Sequence, residues 1–149
     1  MKTARRRDRR HQSREAALQV LYQSEIGKMP VDTALEVFAE LESAPPQREF
    51  AAWLARGTAA HLDEIDPLIT SSAQHWRLAR MAVIDRLIMR LAVFEFLYAG
   101  ETPRPVVINE ALELARTFSA DEAVAFVNGV LDDIRKRLDA GEGKQSPAD

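Results

Sequence analysis

Arginine is concentrated at the start of the chain, at Arg5, Arg6, Arg7, Arg9, Arg10 and Arg14. Residues 1–14 have a net charge of +6, whereas the whole chain has −3, so the rest of the chain carries −9. A guanidinium group can bind a phosphate through two hydrogen bonds and can also stack on a base. A basic segment attached to an acidic body therefore predicts binding to a polyanion, with nucleic acid as the leading candidate.

Other functions of a basic terminus stay open at this point. A charged run at a terminus is often a solvated tail that keeps a protein soluble, and arginine-rich termini also occur in targeting segments. Asp8 interrupts the run and Ala4 is the only apolar residue in 4–11, which does not match an amphipathic transit peptide. The chain has no run of 18 apolar residues, so we expect no membrane-spanning helix.

Residue patterns for catalysis or metal binding are missing. The chain has no cysteine, which excludes disulfides and thiol catalysis and fits a cytoplasmic protein. His11, His61 and His75 form no zinc motif, and no phosphate-binding glycine loop occurs. His61 with Asp63 and Asp66 is interpreted as a solvated helix end. We therefore expect no enzyme activity, no metal and no cofactor.

Helical periodicity runs through every patterned segment, and we expect an all-α fold of six or seven helices without strands. In 14–26, for example, Ala17, Leu18, Leu21 and Tyr22 share one face. Pro67 should break or restart a helix. Two tryptophans are interpreted as anchors of the core or of an interface between lobes, Trp53 and Trp76.

The domain organisation follows from these segments. Residues 1–13 form a basic arm that is partly flexible or joins the first helix. An N-terminal lobe spans 14–75, a C-terminal lobe spans 76–138, and 139–149 are expected to be a disordered tail.

Two local patterns near the end of the chain have a specific interpretation. Ser119 and Glu122 have the spacing of a capping box, in which each side chain bonds a backbone amide of the other. Asn128-Gly129 lies inside a helical stripe, where glycine costs about 1 kcal/mol relative to alanine. Either another helix packs closely at Gly129, or Asn128 makes a contact or a cap.

Three longer stretches carry a family resemblance. Residues 107–116 (VINEALELAR) are followed by Phe118 and by 126–132 (FVNGVLD). Residues 14–23 (REAALQVLYQ) and 85–95 (DRLIMRLAVFE) precede them. In order and spacing, from about residue 5 to 138, the chain resembles the NusB family of transcription antitermination factors, in which Tyr more often stands at the position of Phe94.

The resemblance implies an all-helical fold of two small packed bundles. It also implies binding to boxA-type single-stranded RNA in nascent ribosomal RNA leaders, together with NusE, a small-subunit ribosomal protein. This pair then joins other Nus factors on RNA polymerase. Two alternatives stay open: an RNA-binding module related to the N-terminal domain of RNA cytosine methyltransferases, and a helical adaptor that binds no RNA. A homodimer through an apolar helix face also stays open.

Site residues follow from the arginine run and from the resemblance together. The six arginines are candidates for phosphate contacts, and Tyr22 and Phe126 are candidates for base stacking, although Tyr22 also fits a core position and Phe126 flanks the buried stripe. Glu122 and Asn128 are expected to border the same surface. Asp85 matches a family position near the RNA and NusE surface, although a solvated helix charge fits it equally well.

The arm gives a first testable prediction. Arg6→Ala combined with Arg7→Ala should weaken RNA binding and should flatten the slope of log affinity against log salt by about 1.4, because each phosphate contact on a single strand contributes about 0.7. A titration at several salt concentrations measures the slope. Unchanged affinity and slope in the double variant would remove the arm from RNA binding.

Overall fold

The computed structural model describes residues 2–41, 45–74 and 76–141, and for 2–8, 38–41 and 45–47 it describes the backbone alone. Within these ranges the chain forms seven α-helices and one short 3-10 helix, and no strand. The α-helices are α1 (Lys2–Gly27), α2 (Val31–Leu41), α3 (Pro45–Ala60), α4 (Leu62–Ala73), α5 (Val83–Tyr98), α6 (Arg104–Phe118) and α7 (Asp121–Asp139), and the 3-10 helix is Leu78–Arg80. The expected all-α fold is confirmed.

The first bundle consists of α1, α2 and α3. The apolar stripe of α1 is buried at Ala17, Leu18 and Leu21, as the periodicity predicts. The helix ends at Gly27 because Lys28 adopts a left-handed conformation, with φ of 51°. The basic arm belongs to the same helix, which starts at Lys2.

The second bundle consists of α4 to α7, and α5 is its centre. Nine residues of α5 are buried, and this helix packs against α1, α3, α4, α6 and α7. The predicted lobe boundary near residue 75 separates α4 from the helices with which it packs most, α5 and α7. Buried residues of both bundles form one hydrophobic core.

Gly57 allows α3 to approach α5 closely. A Cβ atom built at Gly57 would lie 2.0 Å from Cζ of Phe94 and 2.4 Å from its Cε1. Phe94 is itself 2% exposed and contacts Trp53 and Tyr98, so its ring has little room to move. The two bundles therefore meet at a glycine that faces an aromatic ring.

Three local expectations were wrong. Pro67 lies inside α4, and the break comes earlier, at His61, between α3 and α4. No capping box forms, because α7 starts at Asp121 after Ala120 and the Ser119 hydroxyl is donated to Asp85 instead. Gly129 is exposed and a Cβ there would meet nothing within 4 Å, so no helix packs on it.

The two tryptophans also differ from expectation. Trp53 is 42% exposed and Trp76 is 54% exposed, so neither is a buried anchor. An aromatic stripe at helical spacing usually indicates core packing, but the large ring of tryptophan is rarely buried completely. Both rings lie beside surface depressions.

The two glycines make a matched pair for a stability measurement. Gly57→Ala should lower the free energy of unfolding by about 1–3 kcal/mol, because an added methyl group overpacks a filled core. Gly129→Ala should raise it by about 1 kcal/mol, because the new methyl group meets no neighbour and alanine favours a helix interior. Urea unfolding of both variants tests this. Equal effects of the two changes would contradict the packing described at Gly57.

Candidate nucleic-acid interface

The predicted phosphate ligands at the start of the chain are only partly within the described side chains. Arg5, Arg6 and Arg7 belong to α1, but their side chains lie outside the described part. Arg9 is exposed. Arg10 is half-buried, and its guanidinium carbon lies 4.3 Å from the centre of the Phe50 ring. A cation over a ring face is held by the electron density of that ring.

Arg14 does not belong to this cationic surface. It is 4% exposed, and its guanidinium donates two hydrogen bonds of 2.8 Å to the Glu95 carboxylate and one of 3.0 Å to Glu110. Burial alone would lower the pKa of Arg14, but the hydrogen bonds and charges of the two carboxylates outweigh burial and raise it. The guanidinium and the two carboxylates are hydrogen-bond partners of one another, so we withdraw Arg14 as a phosphate ligand.

The sequence contains the signal that would have placed Arg14 correctly. Arg14 precedes Ala17 by three residues and Leu18 by four, so it lies on the buried face of α1. Glu95 lies inside the apolar stretch of α5, where an acidic residue needs a buried partner. Arg14 is close to the exposed arginines along the sequence, but it lies on a different side of the helix. A grouping by sequence distance alone therefore puts it with them.

A groove of about 320 Å³ lies where the second bundle meets the 3-10 helix. We call it the Trp76 groove, and its lining includes Trp76, Arg80, Asp85, Glu122 and Phe126. The Phe126 ring meets Trp76 edge-on, with centroids 6.3 Å apart and planes at 69°. Three predicted site residues, Asp85, Glu122 and Phe126, are thus brought together.

Polar groups fix the shape of this groove. Asp85 lies in the first turn of α5 and accepts the hydroxyl of Ser119, which joins α5 to the connection between α6 and α7. Trp76 and Arg80 were not predicted as site residues. Trp76 lies in the segment between α4 and the 3-10 helix, and an exposed aromatic residue in a connection is a signal for binding.

Tyr22 lies on α1 and is 40% exposed, so its ring is available for contact. Glu25, one turn further along α1, forms an ion pair with Arg86, the residue that follows Asp85. This pair attaches the end of α1 beside the Trp76 groove. Arg86 also donates to the Leu78 carbonyl at 3.1 Å, which holds the 3-10 helix in place.

Asn128 is exposed but does not line the groove. It follows Phe126 by two residues, and two residues in a helix correspond to about 200° of rotation. Gly129 follows Phe126 by three residues and shares its side of α7. Neither Asn128 nor Gly129 lines the groove.

The described residues contain no group of three or more His, Cys, Asp or Glu residues placed to hold a metal ion. None of their helices combines the length and the apolar character that crossing a membrane requires.

A sequence model of the NusB family matches residues 11–136. The chain belongs to the NusB family. The transcription antitermination protein NusB of Solibacter usitatus is 46% identical over 132 residues, which is 87% of this chain and 90% of the relative. The protein of the same name from Koribacter versatilis is 47% identical over 139 residues, or 92% and 95%.

Solved structures of the family have the same fold. NusB of T. maritima superposes with a TM-score of 0.80 at 34% identity, and the match covers 85% of this chain and 90% of that one. A crystal structure of the antitermination factors NusB and NusE in complex with double-stranded RNA matches with a TM-score of 0.79 at 25% identity, covering 87% and 97%. The resemblance stated from the sequence is confirmed.

The buried cluster around Arg14 allows stability to be separated from binding. Arg14→Met should lower the free energy of unfolding by about 3–5 kcal/mol, because it leaves the Glu95 carboxylate buried without its cation. The salt slope of RNA binding should stay unchanged, because the Arg14 guanidinium is buried and bonded to two carboxylates. Urea unfolding and a salt series measure the two quantities.

A matched control for that variant is Arg56→Ala. Arg56 pairs with Asp32 at the surface, with the side chains 60% and 73% exposed, so its loss should change stability by less than about 1 kcal/mol. An Arg14 variant that kept its stability and lost salt slope would return Arg14 to the RNA-binding residues.

Proposed function

We propose that this protein binds boxA-type single-stranded RNA together with NusE and so joins the antitermination complex on RNA polymerase. The observation that carries the proposal is the Trp76 groove, where an exposed tryptophan and Phe126 stand beside a cation, Arg80. The fold is shared with a complex of NusB, NusE and double-stranded RNA. Single strands are bound by rings that stack on bases and by cations that follow the phosphates.

The basic start of α1 and the Trp76 groove differ in charge, and we assign them different roles. Cations dominate the first turns of α1, where positions 5, 6, 7, 9 and 10 are all arginine. Carboxylates of Asp85 and Glu122 line the Trp76 groove, where they repel phosphates but can accept hydrogen bonds from base amino groups. The same carboxylates suit a basic partner, so we assign Asp85 to contact with NusE. The arm then holds the backbone of the strand.

The acidic body should make binding depend on the partner. Residues 15–149 have a net charge of −9, which disfavours RNA, so we expect NusE to supply further contacts and cations. Titrating labelled boxA RNA with and without NusE tests this. Equal affinities would refute the dependence on NusE, and a preference for duplex DNA in competition would refute the proposed ligand.

Ring stacking in the Trp76 groove gives a direct prediction. Trp76→Ala should weaken binding of boxA RNA about 5- to 150-fold, because stacking on an aromatic ring contributes about 1–3 kcal/mol per base. The Trp76→Phe variant should bind boxA RNA with nearly the affinity of the unchanged protein, because phenylalanine keeps an aromatic ring. Fluorescence polarisation of labelled RNA in the presence of NusE measures both.

The matched control is Val106→Ala, which removes an exposed apolar side chain on α6 that does not line the groove. Its affinity should equal that of the unchanged protein. If Trp76→Ala and Val106→Ala bind RNA equally well, the groove is not where the bases stack.

A further inference from the structure

A second depression, with a volume of about 800 Å³, lies between α3, α5 and the turn at His61 that precedes α4. We call it the Trp53 cleft, and its lining includes Arg48, Trp53, Arg56, His61, Phe94 and Tyr98. Trp53 and Tyr98 are each 42% exposed. Large aromatic side chains that remain exposed in a concave site indicate a binding function.

The rings of this cleft hold one another in place. Phe94 is its floor, with Trp53 at 4.8 Å and Tyr98 at 5.2 Å between ring centroids. The Tyr98 hydroxyl donates to Glu64, and Nδ1 of His61 donates to the Gly57 carbonyl at 2.7 Å. Both polar side chains are thus fixed. A rigid aromatic surface binds a flat ligand at a low entropic cost.

The cleft is continuous with the basic arm. The Arg10 guanidinium lies over the ring of Phe50, and that ring stacks beside Trp53 at 6.0 Å with 17° between the planes. Arg6 and Arg7 precede Arg10 by four and three residues, the spacing that places residues on one side of a helix. Among the described side chains, one cation and two rings therefore lead from Arg10, in the arm, over Phe50 to Trp53.

The charge of the rim suits a phosphate. Arg48 is exposed, and Arg56 pairs with Asp32 only at the surface, where solvent and salt screen the pair. Glu49 is the single carboxylate among the described residues of the lining. The lining itself contains two arginines and one carboxylate, while Asp32 and Glu64 lie beside it, bonded to Arg56 and to Tyr98, so Arg48 is the lining cation that remains for a phosphate.

We propose that the Trp53 cleft binds an unpaired base of the same RNA strand that the arm holds. The strand then runs from the arm over Phe50, one base stacks on Trp53 or Tyr98, and Arg48 contacts a neighbouring phosphate. Because stacking accepts any base, the cleft adds affinity without adding sequence preference. The inference rests on the proposed RNA-binding function and extends the bound strand beyond the Trp76 groove.

The two tryptophans allow each site to be observed separately. The chain contains only these two, so Trp76→Phe leaves Trp53 as the sole tryptophan and Trp53→Phe leaves Trp76. Each variant, with NusE present, is titrated with labelled boxA RNA that carries a single-stranded flank on both sides. The emission of Trp53 should be quenched over the same RNA concentrations at which polarisation reports binding.

The outcomes separate the two proposals. If polarisation shows binding and Trp76 is quenched while Trp53 is unaffected, the cleft assignment fails and the proposed function stands. If no RNA binds, the proposed function fails, and the cleft assignment fails with it. If Trp53 responds to NusE alone and RNA adds nothing, the cleft binds protein and the inference is overturned.

A variant of Arg48, at the rim of the cleft, can be tested by the salt slope of RNA binding, which a purely structural role of Arg48 would leave unchanged. Arg48→Gln should flatten the salt slope for the flanked RNA by about 0.7, the value for one phosphate contact on a single strand. Lys136→Gln is the matched control, because it removes an exposed cation from the last turn of α7. Equal slopes in the two variants would contradict the proposed contact at Arg48.

Discussion

The contact between Arg14 and the carboxylates of Glu95 and Glu110 determines how the first bundle is fixed to the second. The guanidinium is 4% exposed and the Glu95 side chain 2%, so neither charge could remain there without the other. Because Arg14 lies on the same helix as the arginine arm, this contact also sets the direction in which the arm leaves the protein. Burying these charges costs free energy, which their hydrogen bonds to one another offset. The geometry of those hydrogen bonds also fixes the orientation of α1 against α5 more tightly than a purely apolar contact would.

A second set of charges supports the same arrangement at the other end of α1. Glu25 pairs with Arg86 and, at 3.6 Å, with Arg90 of α5, and Arg90 also binds Asp66 of α4 through both carboxylate oxygens. Three helices therefore share one partly buried network. Held at two points, α1 has the arm at one end and Tyr22 near the other.

Periodicity in the sequence was enough to obtain the helices and most of the core, because burial follows the 3.6-residue repeat wherever apolar residues recur. The family resemblance, and not periodicity, selected Asp85, Glu122 and Phe126, which line one groove, and also Asn128, which does not line it. Arg14 was misassigned because charge was counted along the chain and not around the helix.

Other features depend on partners that are distant in sequence, and no local pattern contains them. Ser119 bonds Asp85, 34 residues away, in preference to the amides of α7. Gly57 is required by the Phe94 ring, whereas Gly129, which looks equally unusual in a helix, faces open space. The exposure of Trp53 and Trp76 likewise follows from how the helices pack.

The position of the partners of Arg14 along the chain has a consequence for synthesis. Ribosomes make the arm first, and Glu95 and Glu110 only much later, when α5 and α6 are translated. Until then the first bundle has an unpaired arginine on its apolar face and no fixed orientation for the helix that precedes it. A nascent chain therefore lacks the contacts that orient its cations until residue 110 of the 149 has been translated.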